Sequence, residues 1–251
     1  MTHRELPQDD FIFGLRPVIE AINAGKPIDK VMIRKGLRGE TVSELLELIK
    51  KNNISSQSVP DAKLDHYTRK NHQGVVALVS LVDYQDISEV IQQLYEQGKD
   101  PFIIMLDRIT DVRNFGAIAR TAECAGVDAI LIPDKGAARV NAEAVKTSAG
   151  ALLKIPVCRS SNIYKSAVSM LEQGIKLMSA TEKGKQPYWE APFQGPVCII
   201  MGSEEDGVSA PLLKMSSFLL TIPQYGVINS LNVSVATGIL LFEAARQRHG
   251  L

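Results

Sequence analysis

Three polar segments of this chain place side chains that could do chemistry where an apolar strand gives way to a helix. The first runs from Leu106 to Ala122 and offers Asp111, Asn114 and Arg120. Gly116, Ala117, Ala119 and Ala122 are small enough to let a neighbour pack close to its helix. Arg120 stands about 9 Å along the axis from Asn114. By itself the segment reads as Asp111 or Asn114 capping a helix, with Arg120 a solvated charge. The second runs from Val197 to Gly207, an apolar strand entering the acidic turn Gly202-Ser203-Glu204-Glu205-Asp206-Gly207. Gly202 at the strand end permits close backbone approach by a ligand. Three consecutive acids would repel a phosphate, so a neutral or cationic ligand suits this turn. Glu205 and Asp206 also read as helix-start acids, whereas Glu204 lies too near the strand for that role. The third runs from Phe218 through Ile222 and Pro223 to Ser230-Leu231-Asn232 and a long apolar helix. Ser230 or Asn232 makes a good N-cap. The helix is apolar nearly all round between Val233 and Phe242, which predicts burial.

The elements that must position these segments alternate. From Pro101 onward, strands are expected at 102–106, 129–132, 155–157, 175–180, 197–201 and 218–222. Helices are expected at 114–125, 141–150, 162–173, 208–216 and 232–248. Such alternation predicts a parallel sheet covered on both faces, with ligands beyond the carboxyl ends of its strands. The loops after 106, 180, 201 and 222 are therefore where chemistry is expected. Residues 1–82 read as a smaller α/β unit, with helices at 14–24 and 41–51 and strands at 30–33, 55–59 and 74–82. Residues 83–100 read as a linker carrying a helix whose Ile87, Val90, Ile91 and Leu94 share one face.

Composition sets limits. The 251 residues carry no formal net charge, which does not by itself point to nucleic acid. Residues 1–82 hold 12 Lys and Arg against 10 Asp and Glu, and residues 83–251 hold 16 against 18, so only the first part is mildly basic. Apolar runs are too short to span a membrane. The start MTHRELPQDD lacks the apolar core of a secretion signal. Cys124, Cys158 and Cys198 form no Cys-x-x-Cys pair, so neither a disulfide framework nor a zinc site is expected, and a cytoplasmic location fits. No metal-ligand pattern is found around the histidines, and no Gly-x-Gly-x-x-Gly or P-loop is present.

Taken in order, the three segments resemble the signature motifs of the SpoU/TrmH family of RNA 2′-O-ribose methyltransferases, within the SPOUT superfamily. The first supplies Asn114, Gly116, Ala117, Arg120, Thr121 and Ala122. The second supplies Gly202, Glu204 and Gly207. The third supplies Ile222, Pro223, Gly226, Ser230, Leu231, Asn232, Val233, Ser234 and Ala236. Gly14-Leu15-Arg16-Pro17 and Asn71-His72-Gln73-Gly74 resemble the N-terminal RNA-binding domain of the family's ribosomal branch, whose 23S guanosine-2′-O-methyltransferases are the nearest likeness. Val112, Gln224 and Asn229 depart from the family pattern.

The resemblance implies an α/β fold in which a C-terminal parallel sheet is tied in a deep trefoil knot, behind a smaller N-terminal α/β domain. It implies three parts: residues 1–82 for substrate RNA, 83–100 as linker helix, and 101–251 as the knotted domain binding S-adenosylmethionine. Gly202, Ile222, Leu231 and Thr181 are then expected to line the cofactor pocket. Arg120 is expected to be the central catalytic residue, with Asn114, Glu204, Ser230 and Asn232 hydrogen-bonding it and the ribose into line. A homodimer with composite sites is implied, with helix 232–248 a candidate for the interface. Arg34, Lys35, Arg38, Lys50, Lys51, Arg69, Lys70 and His72 are candidate RNA contacts, and Tyr188 with Trp189 a candidate stacking surface. The expected activity is 2′-O-methylation of structured RNA, ribosomal ahead of transfer RNA. A non-catalytic RNA-binding member of the fold and a base methyltransferase are the competing readings.

Overall fold

The computed structural model describes residues 11–250 apart from Asn53, Lys185 and Asn229. The N-terminal decapeptide and Asn229, both noted above, lie outside the described residues. The chain divides into two compact units, one reaching Asp83 and taking in Arg139–Ala142, the other holding the rest.

The first unit is built on strands β1 (Phe11–Phe13), β2 (Ile28–Arg34), β3 (Ser56–Val59) and β4 (Val75–Val79), with helices α1 (Leu15–Asn23), α2 (Glu40–Lys51) and α3 (Asp61–Asp65). The strand order is β1-β4-β2-β3, and only the β2–β3 pair is parallel. Alternation along the strands divides the core in two. Val31, Ile33, Val75 and Ala77 join Val18, Ile22, Leu45 and Ile49 from α1 and α2. Met32, Val76 and Leu78 join Phe11, Val59 and Leu64 on the opposite face. Within this unit Arg139 pairs with the buried Asp29 at 3.3 Å.

The second unit carries α4 (Ile87–Glu96), β5 (Phe102–Asp107), α5 (Val112–Cys124), β6 (Ala129–Pro133), α6 (Ala142–Thr147), β7 (Val157–Ser160), α7 (Ile163–Glu172), β8 (Lys176–Ala180), β9 (Gln186–Pro187), β10 (Val197–Gly202), α8 (Ala210–Met215), β11 (Phe218–Thr221) and α9 (Val233–Arg248). Its seven strands lie in the order β7-β6-β5-β10-β8-β11-β9, every neighbouring pair parallel. β5 and β10 are buried at every position. That explains why they read as unbroken apolar runs, as strands of a sheet covered on both faces do. Ile103, Met105, Cys198 and Ile200 point to a core shared with Val90, Ala167 and Leu212 of α4, α7 and α8. On the other face α5 and α9 pack on each other.

Two expectations need correction. The helix expected to link the units is α4, and it is not a linker. Its Ile87, Val90, Ile91 and Leu94 are buried in the core of the second unit, because an amphipathic helix of this strength is driven to cover a sheet. The C-terminal helix is not buried all round. Val233, Thr237, Leu240, Leu241 and Ala244 face the core, while Val235 and Phe242, two turns apart on another face, are about half exposed.

Candidate active site

Strand order turns around between β5 and β10: β6 and β7 extend one way, β8 and β11 the other. The carboxyl ends at such a switch diverge and leave a crevice. Asp107 and Gly202, the last residues of β5 and β10, are register partners there. The loops that follow them, with those after β8 and β11, carry the polar side chains.

Asp111 caps α5 by accepting the backbone N–H of Asn114 at 2.8 Å. That fixes the first turn and presents the Asn114 side chain beyond the sheet. Asn232 caps α9: its Oδ1 accepts the backbone N–H of Ser234 at 2.9 Å and also the Ser234 hydroxyl. Its Nδ2 is then turned toward α5, donating to Asn114 Oδ1 at 3.0 Å and to Glu204 Oε1 at 3.1 Å. Asn114 Nδ2 donates to the same Glu204 oxygen at 2.9 Å. Three side chains from three loops thus form a closed triangle. Glu204 Oε2 takes no hydrogen bond from the described residues, so the triangle has one acceptor to offer outward.

The turn bearing Glu204 is shaped by its glycines. A Cβ on Gly202 would collide with the backbone of Gly207 and Val208, so the strand end and the end of the turn touch as only glycine allows. Gly207 itself has φ 66°. Opposite, Thr181 is held by two bonds to β11, its N–H to Leu220 O and its carbonyl accepting the Thr221 hydroxyl, both at 2.9 Å. A Cβ on Gly184 would meet Thr221 and Leu219, so this loop also lies tight against its strand. Nothing in the local sequence around Gly184 signalled that.

These loops enclose a cavity of about 610 Å³, within the range of small-molecule sites. Thr181, Gly202, Ile222, Ser230 and Leu231 line it beside Glu204 and Asn232. Leu220, Ile222, Leu231 and Val233 give it an apolar side. Among the described residues, Glu182, Glu204, Glu205 and Asp206 line it with one cation, Lys183. An apolar wall with an excess of carboxylates favours a ligand that is part apolar and part cationic. Cys158 and Cys198 are no part of this chemistry. Both are buried in strands; burial, with Asp86 nearby, pushes the Cys158 thiol up to about 12, and burial raises Cys198 as well.

Residues 101–242 match the family model described as the SpoU rRNA methylase family. Residues 11–85 match a second model, RNA 2′-O ribose methyltransferase substrate binding. The chain belongs to the SpoU family. A TrmH family tRNA/rRNA methyltransferase of Staphylococcus haemolyticus is 33% identical over 242 residues, covering 96% of this chain and 97% of that protein. One from Bacillus subtilis is 31% identical over the same share of this chain. Among solved structures, an rRNA methyltransferase from Sinorhizobium meliloti with S-adenosylmethionine bound superposes with a TM-score of 0.60 at 26% identity, covering 96% of this chain and 88% of that one. The SpoU methyltransferase AviRb from Streptomyces viridochromogenes shares the fold, with a TM-score of 0.60 at 24% identity and coverage of 96% and 91%.

One expected member of this SpoU-family site stands apart. Arg120 is exposed and makes no hydrogen bond or ion pair among the described residues. Six residues beyond Asn114, it is rotated by about 120° around α5, onto the side where Gly116 packs against Ala144, Thr147 and Ser148. Within one chain Asn114, Glu204 and Asn232 bond to one another rather than to Arg120. Ser230 lines the cavity.

In the first unit, His72 does not serve as a free contact. It is 8% exposed, its Nδ1 accepts the Gly74 N–H at 3.0 Å, and its Nε2 faces Asp65 at 3.1 Å. It holds the turn in which Gln73 and Gly74 take positive φ and Gln73 Oε1 accepts the N–H of Leu15 at the start of α1. Arg34 pairs with Asp61 at 3.6 Å. Lys35, Arg38, Lys50, Lys51, Arg69 and Lys70 are exposed. Trp189 is 46% exposed and stacks edge-on to Tyr188.

Proposed function

We propose that this chain transfers a methyl group from S-adenosylmethionine to the ribose 2′-hydroxyl of a nucleotide in structured RNA, ribosomal RNA ahead of transfer RNA. The observation that carries the reading is the Asn114–Glu204–Asn232 triangle at the rim of the carboxylate-lined cavity. The cofactor, when bound, supplies an electrophilic methyl on a cationic sulfur, a charge that suits Glu204, Glu205 and Asp206. Gly202, Ile222, Leu231 and Thr181 are the residues we assign to holding it, by backbone contact and apolar packing.

Asn114, Glu204, Ser230 and Asn232 orient the ribose, since a hydroxyl must be aligned with the methyl group before displacement. Arg120 binds the adjacent phosphate and stabilises the developing alkoxide. A guanidinium stays protonated, so its part is electrostatic rather than that of a base, and the hydroxyl proton passes to water as the methyl group leaves sulfur for oxygen. The working form is a homodimer with composite sites. The half-exposed Val235 and Phe242 on α9, and an Arg120 outside its own chain's triangle, support that reading. RNA is held by the first unit, where the loop Arg34-Lys35-Gly36-Leu37-Arg38-Gly39 combines cations with glycines that let a loop follow a phosphate backbone. The loops after β8, β10 and β11 meet as a trefoil knot would require. Three free cysteines suit the cytoplasm.

The test is to incubate the protein with labelled S-adenosylmethionine and total RNA from a strain lacking the gene, then map 2′-O-methyl positions. A new site in ribosomal RNA is expected. A site in transfer RNA would replace the substrate assignment, and no methylated ribose anywhere would overturn the activity.

A further inference from the structure

We propose that Arg108 is a positioning residue for this site, holding the turn 203–207 so that Glu204 meets Asn114 and Asn232. The inference rests on the reading of the cavity just given.

Arg108 has φ 66°, left-handed backbone that suits glycine and strains an L side chain. What offsets that strain is visible in its guanidinium, spread over three acceptors. Nε donates to Asp107 Oδ1 at 3.2 Å, Nη1 to Asp206 Oδ2 at 2.9 Å, and Nη2 to the carbonyl of Gly207 at 3.0 Å. Asp107 is buried, and its second oxygen accepts the backbone N–H of Ser209 at 2.7 Å. Two adjacent residues at the end of β5 therefore tie down positions 206, 207 and 209 of the loop after β10.

The turn also closes on itself. Gly207 N–H donates to Ser203 O at 2.9 Å, and Asp206 N–H to Ser203 Oγ at 3.2 Å. Glu204 sits inside this closed turn and reaches the triangle from it. Without the tie, no other described side chain bonds to the Asp206 carboxylate. The guanidinium also stands against one of three consecutive carboxylates, easing the repulsion that would otherwise spread the turn. A fork with fixed geometry does this where a point charge would not.

The experiment compares the parent protein with Arg108→Gly and Arg108→Lys. Glycine gives the backbone the residue it favours, so Arg108→Gly is expected to melt within about 3 °C of the parent. Amide exchange across 203–209 should quicken about tenfold. Affinity for S-adenosylmethionine should fall about tenfold, and single-turnover transfer at saturating cofactor should stay reduced by a similar factor. Arg108→Lys should fall between, regaining the Asp206 contact alone. Should Arg108→Gly fail to fold, Asp206→Ala cuts the same tie from the exposed side and is expected to reproduce the faster exchange. Parent-like exchange over 203–209 in the folded variant overturns the inference. A parent protein that binds no S-adenosylmethionine would overturn the functional reading instead, and the exchange comparison would still decide the tie.

Discussion

The side-chain amide of Asn232 donates to the carbonyl oxygen of Asn114 at 3.0 Å, across 118 positions of sequence. The same Asn232 caps α9 through its other side-chain atom. One residue therefore both starts a helix and completes the triangle, and the two roles can be separated. Serine caps a helix about as well as asparagine but carries no amide. Asn232→Ser is expected to change stability by less than about 1 kcal/mol and to cut methyl transfer by roughly 10²-fold. Thermal melts and single-turnover assays together check this; a variant with parent-like turnover would remove the triangle from the mechanism.

The Arg120 side chain makes no bond among the described residues, so removing it should leave the fold and the cavity untouched. Arg120→Ala is expected to bind S-adenosylmethionine within about threefold of the parent while transfer falls roughly 10²–10³-fold. Calorimetric titration and a filter-binding methylation assay read the two quantities apart. Retained turnover would sink the assignment.

At the last turn of α9, Arg248 donates to the carbonyls of Asp100, Phe193 and Gly195 and lies 5.0 Å from the Phe102 ring centroid. Burial holds its pKa below the ordinary value, with Asp128 and Asp100 opposing. Arg248→Ala leaves carbonyl groups without their donor and should cost about 2–3 kcal/mol, a melting shift of roughly 5–10 °C. An unchanged melt would show the anchor to be idle.

Asp128 accepts the Phe102 N–H at 2.8 Å, yet burial raises its carboxyl above the ordinary value, against the pull of that amide and of Arg248 and Lys99. The folded state then binds more protons than the unfolded one just above the ordinary pKa of 3.8. The stability this contributes is full below that value and is lost as pH rises through the raised one. Asp128→Asn keeps the acceptor and carries no charge. Its stability relative to the parent should therefore grow as pH rises above about 4, as followed by urea unfolding; parallel pH curves would contradict the assignment.

Much of the second unit was legible because its strands are buried on both faces. Phe102–Leu106 and Val197–Met201 are unbroken apolar runs bounded by polar turns. The five-residue α3 and the two-residue β9 escaped, since neither is long enough to show a period. The apolar face of α4 announced a helix but not the sheet it covers, which depends on contacts with Ala167 and Met170 of α7 far along the chain. The half-exposed side of α9 was hidden because an all-apolar helix carries no mark of which stripe meets the core. Around the site, residue types pointed to Asn114, Glu204 and Asn232, whereas their bonding to one another in place of Arg120 depends on the rotation of α5. Arg108 was hidden because an arginine gives no hint that its backbone will be left-handed.

The helix α9 is held at its first turn by Asn232, beyond the carboxyl ends of β5 and β10, and at its last by Arg248, at the amino ends of the same two strands. Sixteen residues at the usual rise make a span of about 24 Å. Helix and sheet thus measure each other. Substitutions along α9 change its surface, but adding or deleting one residue turns one end by about 100° against the other. Either the triangle or the Arg248 anchor must then let go. The length of this helix is a dimension of the active site, set at one end of the sheet and enforced from the other.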